Sequence, residues 1–271
     1  SKQATSHSQK IPPHFITFFP SLPPEMSHPP RRVARSMAET DTPHPLTPDD
    51  GWAKTDPDSG RPCLSVPAHC RTVGTVARVL LDSLPEIARQ RLPEGAATLI
   101  AAHDIGKLTP GFQIKAPAWR FYQTVSDAIQ HNGLCTNHAI ISQWHLDQRL
   151  KDSEARAWLV ATGGHHGRYP FGFKARVPRC QRSEGGMERT FAALREALLE
   201  ALIREFGPLP NESATAESER VHLLAGLTIF CDWIGSNTDW FPPEHPTDPG
   251  ALKTTAAACL ERLFWRVGPR A

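Results

Sequence analysis

The sequence contains no Cys-x-x-Cys pair. Its six cysteines stand apart at 63, 70, 135, 180, 231 and 259, which leaves out a zinc ribbon and a thioredoxin-type redox motif. They read as the reduced thiols of a cytoplasmic protein, because a chain of 271 residues does not need disulfide staples to fold. No apolar run approaches the roughly 20 residues that a membrane-spanning helix requires. The N-terminus has no apolar segment of secretory type. There is no G-x-x-x-x-G-K-[ST] phosphate loop, so ATP use and duplex unwinding are not assigned to this chain. There is no G-x-S-x-G turn, which argues against a serine nucleophile. Net charge is also scarce. The formal balance is +2 with histidine neutral, and that alone does not mark a nucleic-acid binder. Strand signals are few, and no internal repeat is visible.

Proline is present in quantity, with 26 residues, and it is unevenly spread. Pro12, Pro13, Pro20, Pro23, Pro24, Pro29 and Pro30 interrupt any regular pattern, and prolines continue to Pro62. Residues 1–50 are read as a proline-rich irregular or disordered extension, and residues 51–271 as one domain. Met37-Ala38-Glu39 has the look of a start, which would leave 1–36 as an upstream extension. From Leu64 the pattern is helical. Ser65 caps a helix with Pro67 in its first turn, and His69, Val73, Val76 and Leu80 share one face. A second helix covers about 96–105 and stops at Gly106, read as a C-terminal glycine. Further helices are predicted from near Asn137, over about 155–162 up to Gly163-Gly164, over about 188–206, over about 221–234 and over about 251–265. The fold class is all-α.

Several polar residues fall where apolar ones are expected. His103-Asp104 closes an apolar helix, and an imidazole nitrogen and a carboxylate oxygen on one turn can meet one cation. A carboxylate can also bridge two cations, one per oxygen. An isolated His-Asp pair is usually just a solvated helix end, but the surroundings here differ. His69 lies on the apolar stripe of its helix, and Asp232 lies on the apolar face of another with Val221, Leu224, Ala225, Thr228 and Cys231. A buried charge without a partner is costly, and a metal would satisfy it. His165-His166 follow a Gly-Gly stop, and His138 opens the third helix. Two divalent cations would outweigh two carboxylates by two positive charges, which suits a phosphodiester and an activated water. Imidazole-rich ligation favours transition metals over Mg²⁺.

These residues resemble the HD superfamily of metal-dependent phosphohydrolases. More narrowly, they resemble the HD nuclease domain of the CRISPR-associated type I nuclease-helicase, from about Gly51 to Trp265. The resemblance rests on His69, on His103-Asp104-Ile105-Gly106-Lys107 running on to Gly111-Phe112-Gln113, on His138, on His165-His166, and on Asp232-Trp233-Ile234-Gly235-Ser236. It implies an HD-domain helical bundle with two divalent transition-metal ions, manganese, iron, cobalt or nickel in preference to magnesium or zinc. One ion would be held by His69, His103, Asp104 and Asp232, the other by Asp104, His138, His165 and His166. Asp104 would bridge, and Lys107 would stand beside the reacting phosphate. The implied activity is cleavage of single-stranded DNA in antiviral defence. The implied partners are a CRISPR surveillance complex and a helicase domain or subunit absent from this chain. The chain then reads as an excised domain or a stand-alone nuclease subunit.

Arg168, Lys174, Arg176, Arg179 and Arg182 lie in a stretch with no acid, interleaved with Tyr169, Phe171 and Phe173. Arginine with aromatics suits a single strand, through phosphate pairing and base stacking; the plainer reading is a solvated basic loop. Trp119, Phe121 and Tyr122 are read as core. His145 is read as a surface residue, and Ser142 and Ser236 as candidates to orient ligands by hydrogen bonds. Two other functions compete: an HD phosphohydrolase acting on nucleotides or cyclic dinucleotides, which wants a closed pocket, and a non-catalytic binding module with a degenerate site. If the basic segment holds a strand, neutralising Arg176 and Arg179 together should lower the salt slope of single-stranded DNA binding by about one unit per lost contact. Binding titrations across a salt series check this, and an unchanged slope contradicts it.

Overall fold

The computed structural model describes residues 45–131, 134–150, 153–167, 185–215, 218–244 and 248–263. Residues 1–44 of the proline-rich extension read over 1–50, and the basic segment 168–182, lie outside the described residues. The compact unit that carries everything below starts at Pro45. Its elements are a two-stranded hairpin, β1 (Trp52–Thr55) and β2 (Pro62–Ser65), followed by helices α1 (Val66–Ser83), α2 (Glu86–Arg89), α3 (Ala96–Ala101), α4 (Pro110–Gln113), α5 (Tyr122–Asp127), α6 (His138–Arg149), α7 (Leu159–Gly163), α8 (Gly185–Phe206), α9 (Glu219–Gly235) and α10 (Pro249–Arg262). Short 3-10 turns join them, notably Ala102–Lys107 after α3 and Glu154–Trp158 before α7. The expected all-α class holds.

Helix α1 is the centre of the bundle. The Ser65 hydroxyl accepts from Ala68 N at 3.3 Å, satisfying one of the donors that a helix start leaves open. The face predicted from His69, Val73, Val76 and Leu80 is fully buried. Helices α3, α9 and α10 pack around it. At the crossing with α9, a Cβ on Gly235 would come within 2.8 Å of Val73 Cγ2. The bare glycine lets the end of α9 close onto α1, which brings Asp232 level with His69. Buried Leu99, Ile100, Ile105, Trp158, Leu159, Phe191 and Leu199 fill the rest of the core.

Three details differ from the sequence reading. First, Gly106 does not stop a helix. Helix α3 tightens into the 3-10 turn and continues through Lys107. Gly106 is needed for another reason: a Cβ there would stand 2.1 Å from the His138 carbonyl and 2.6 Å from Ser142 N. The turn and α6 therefore touch backbone to backbone, with Gly106 N donating to Ser142 Oγ at 2.8 Å. Second, the hairpin was not foreseen. Its turn is built by Asp56, whose carboxylate accepts from Ser59 N at 2.7 Å, and by Gly60 at φ +66°. Asp-x-x-Ser-Gly after a short apolar run is a turn signal, but two four-residue strands are too short to show alternation. Third, His145 is buried against α8, with Nε2 3.2 Å from Glu196 Oε2. Trp119 is core as expected.

Replacing Gly106 by alanine should cost about 1–3 kcal/mol, because two backbones must separate to admit one methyl. Urea or thermal denaturation checks this; a variant as stable as the parent contradicts the close approach.

Candidate metal centre

Five segments meet at one point. Helix α1 supplies His69, the 3-10 turn supplies His103, Asp104 and Lys107, α9 supplies Asp232, and the starts of α6 and of the stretch after α7 supply His138 and His165-His166. His69 and His103 are fully buried, Asp104 and His165 nearly so. His138 is half-buried and His166 exposed. The basic segment 168–182 begins two residues beyond His166 in sequence and lies outside the described residues.

The two oxygens of Asp104 face in different directions. Oδ2 lies 3.0 Å from His69 Nε2 and 3.4 Å from His103 Nε2. Oδ1 lies 3.2 Å from His138 Nε2 and 3.4 Å from His165 Nε2. Asp232 Oδ1 lies 3.4 Å from both His69 Nε2 and His103 Nε2. His166 Nε2 and His138 Nε2 are 2.8 Å apart. Two groups result, each with its donor atoms within 4.8 Å of one another: His69, His103, Asp104 and Asp232, and His138, His165 and His166. The two groups bring together the seven residues that the sequence reading named as candidate ligands.

Local backbone chemistry aims the rings. His103 Nδ1 meets the Ile100 carbonyl at 2.9 Å, and His165 Nδ1 meets the Thr162 carbonyl at 2.6 Å. In both cases the carbonyl is three residues earlier, so a protonated Nδ1 leaves the Nε2 lone pair pointing inward. A 3-10 turn places residues i and i+3 in line, which sets Lys107 beside Asp104. The Lys107 ammonium lies 2.7 Å from Asp104 Oδ2 and donates to the Ala53 carbonyl at 3.3 Å. Lys107 is buried, so its charge is spent chiefly on Asp104. Gln113 ties the same turn to the hairpin: its amide nitrogen donates to Trp52 O and Lys107 O, and its Oε1 accepts from Trp52 N. Ser236 Oγ donates to Asp232 Oδ1 at 2.8 Å, while Ser142 Oγ accepts from Gly106 N. Sequence reasoning missed Lys54, whose ammonium donates to Ser236 O at 2.6 Å. Nothing in the local pattern around residue 54 pointed to a centre assembled from helices far along the chain.

The residues present fit a metal centre. His69 Nε2, His103 Nε2, His165 Nε2 and Asp104 Oδ1 are all buried without a hydrogen-bond partner, although they converge. Buried polar atoms normally find partners, and four lone-pair donors turned on one another need a shared cation. The charges agree. Burial works against ionisation of Asp104, but Lys107, His103 and His138 outweigh it and hold its carboxyl well below the usual range. Burial also opposes the charge of Asp232, and His103 and His69 reverse that in the same way. Burial presses His103 down, yet Asp104 and Asp232 bring it up to about 10. Burial lowers His138, and burial with His165 and His138 alongside lowers His166 to about 4.

A helical bundle with a buried His-Asp pair at its heart, and further histidines and a second aspartate turned onto it, has the make-up of an HD domain. Residues 52–241 match the family model described as Cas3, HD domain, and the chain belongs to that family. It is 30% identical over 246 residues to the CRISPR-associated endonuclease/helicase Cas3 of Thermus thermophilus, covering 79% of this chain and 25% of that protein. The chain thus spans about a quarter of that curated relative. Among solved structures, that of a CRISPR-associated protein superposes with a TM-score of 0.64 at 26% identity, covering 83% of this chain and 28% of the other. The Thermus thermophilus Cas3 HD domain, crystallised in the presence of Ni²⁺, superposes with a TM-score of 0.56 at 25% identity, covering 82% of this chain and 93% of that one. No described helix is long and apolar enough to cross a membrane.

The two groups should differ in their response to pH. In the metal-free protein His103 keeps a proton up to about pH 10, and a cation at Nε2 must displace it. His138 and His166 are already neutral near pH 7, being lowered, the latter to about 4. Uptake at the His69–His103 group should therefore release about one proton at pH 7 and weaken steadily as pH falls. Uptake at the His138–His166 group should be nearly independent of pH above the ordinary histidine range of about 6.5. Calorimetry in buffers of different ionisation enthalpy reads this directly, and equal proton release in both events contradicts it.

Proposed function

We propose that this chain is a metal-dependent HD nuclease that cleaves the phosphodiester bonds of single-stranded DNA by two-metal hydrolysis, in type I CRISPR interference. The observation that carries the reading is the divided carboxylate of Asp104, with one oxygen turned to His69 and His103 and the other to His138 and His165. In this reading His69, His103, Asp104 and Asp232 hold one divalent cation, and Asp104, His138, His165 and His166 hold the other. Manganese, iron, cobalt or nickel suits these imidazoles better than magnesium or zinc. A pair of such ions supplies Lewis acidity at the phosphoryl oxygens and lowers the pKa of water. The chain's own residues do the rest. The carbonyls of Ile100 and Thr162 fix two of the rings, and Lys107 keeps Asp104 ionised within the core. The exposed His166 and half-buried His138 leave the second group open on one side, where an extended strand can reach it.

The catalytic domain is taken as 51–271, with 1–50 as an extension. Arg168, Lys174, Arg176, Arg179 and Arg182 are proposed to hold the strand as it approaches His165-His166. A surveillance complex would deliver the DNA and a helicase domain or subunit would unwind it, both in the cytoplasm. The competing reading, hydrolysis of nucleotides or cyclic dinucleotides, asks for enclosure on all sides. An exposed His166 favours the longer substrate.

Asp104→Ala removes the shared ligand and should abolish metal-dependent cutting, a loss of at least about a thousandfold if both ions are needed. The parent should cut single-stranded DNA with Mn²⁺ or Ni²⁺, largely spare intact duplex, and ignore ATP. Matched single- and double-stranded substrates, with a cyclic dinucleotide alongside, make the test. Equal cutting of duplex, or hydrolysis of the dinucleotide alone, would overturn the assignment. Undiminished activity in Asp104→Ala would show the centre to be misplaced.

A further inference from the structure

Strand β1 touches the metal centre at two successive residues. The Ala53 carbonyl accepts from Lys107, whose ammonium reaches Asp104. The next residue, Lys54, turns its side chain to the C-terminal end of α9 and donates to the Ser236 carbonyl at 2.6 Å. That carbonyl belongs to the residue that caps α9, where helix carbonyls lack backbone donors and the helix end carries partial negative charge. Ser236 is bound to the centre in turn, because its hydroxyl donates to Asp232 Oδ1 at 2.8 Å. Asp232 Oδ1 is the oxygen that faces His69 and His103. A continuous chain of contacts thus runs from the Lys54 ammonium through Ser236 to a carboxylate of the centre.

We infer that Lys54 is a positioning residue for the metal centre, seating the end of α9 so that Asp232 meets His69 and His103. The inference rests on the two-metal reading above and goes beyond it, by assigning to the hairpin a part in cation affinity. Strand β1 then holds both carboxylates, Asp104 through Lys107 and Asp232 through Ser236. The alternative is that Lys54 acts only as a nearby positive charge. The two predict opposite signs. Lys54 feels the charges of Asp232 and Asp104, so by Coulomb's law removing it should tighten a cation bound between them. Losing the seat of Asp232 should loosen that cation.

The test is calorimetric titration of the full chain with Ni²⁺ and with Mn²⁺, alongside melting of the metal-free protein. Lys54→Met should weaken one of the two binding events about tenfold, the usual scale for a residue that orients a ligand, and leave the other within about twofold. Lys54→Arg, which can still donate to the Ser236 carbonyl, should recover most of the loss. Ser236→Ala should weaken the same event, and the double variant should lose no more than the worse single variant, since both act along one chain. Lys253→Met removes an equal charge from the exposed face of α10 and should change neither event. Tighter or unchanged binding in Lys54→Met overturns the inference, as do equal losses in both events or losses that add in the double variant. If Lys54→Met fails to fold, Ser236→Ala must give the one-sided loss alone, and its absence overturns the inference. A parent that binds neither cation fails at the two-metal reading itself, and this inference falls with it.

Discussion

The buried carboxylate of Asp104 is the constraint on which the rest of the centre depends. An ionised group in the core carries a large desolvation cost unless charges and donors surround it. Here Lys107 of its own 3-10 turn supplies the charge, and His69 from α1, His138 from α6 and His165 from beyond α7 turn ring nitrogens onto the carboxylate. The turn is itself part of the solution. Three residues per turn stack Lys107 on Asp104, and the narrower coil brings Gly106 flat against α6. Straight α-helix through 102–107 would offset Lys107 from Asp104 by about 60° and set a wider cylinder between Asp104 and His138. The packing of α6 on this turn is thereby tied to the same few residues that hold the charge.

The centre has two unlike halves. His69 and His103 lie wholly inside, and the carboxylates raise His103 against the pull of burial. His138 and His166 lie toward solvent, and there burial outweighs the upward pull of Asp104. The inner half therefore draws on two carboxylates, and the outer half shares only one oxygen of Asp104. On the proposed two-metal reading, such an asymmetry would favour a tightly held cation inside and a more exchangeable one outside. Orientation follows the same division. The rings of His103 and His165 are pinned through Nδ1 to carbonyls three residues earlier, whereas His138 and His166 pair with each other.

Much of this was legible from the sequence, because the relevant signals are local. A histidine on the apolar stripe of α1 and an aspartate on that of α9 announce inward polar groups whatever the tertiary fold. His103-Asp104 and His165-His166 stand at helix ends, which periodicity locates well. What was not legible depends on contacts between distant segments. Gly106 looks like a helix stop in isolation, and only the His138 carbonyl 2.1 Å from its absent Cβ explains it. His145 looks like an exposed polar residue on α6 until α8 covers it. The hairpin is short enough that its strands carry almost no pattern, yet Trp52, Ala53 and Lys54 make bonds to residues 54 to 182 positions away.

That last contrast bears on how the fold secures its chemistry. The helices bring the imidazoles into range, but a carboxylate must be held to within a few tenths of an ångström to serve a cation well. Helix packing through apolar side chains sets position only loosely, because it is not directional. The directional contacts come instead from the hairpin: Trp52 to Gln113, Ala53 to Lys107 and Lys54 to Ser236. Gln113 is used on both sides, since its amide meets Trp52 O and Lys107 O at 2.9 Å each. The hairpin also enters the apolar core, since Trp52 and Ala53 are buried with the residues of α1 and α3. On the inference drawn above, stability and cation affinity draw on one strand in different ways, the first through the burial of Trp52 and Ala53 and the second through the bonds of Ala53 and Lys54.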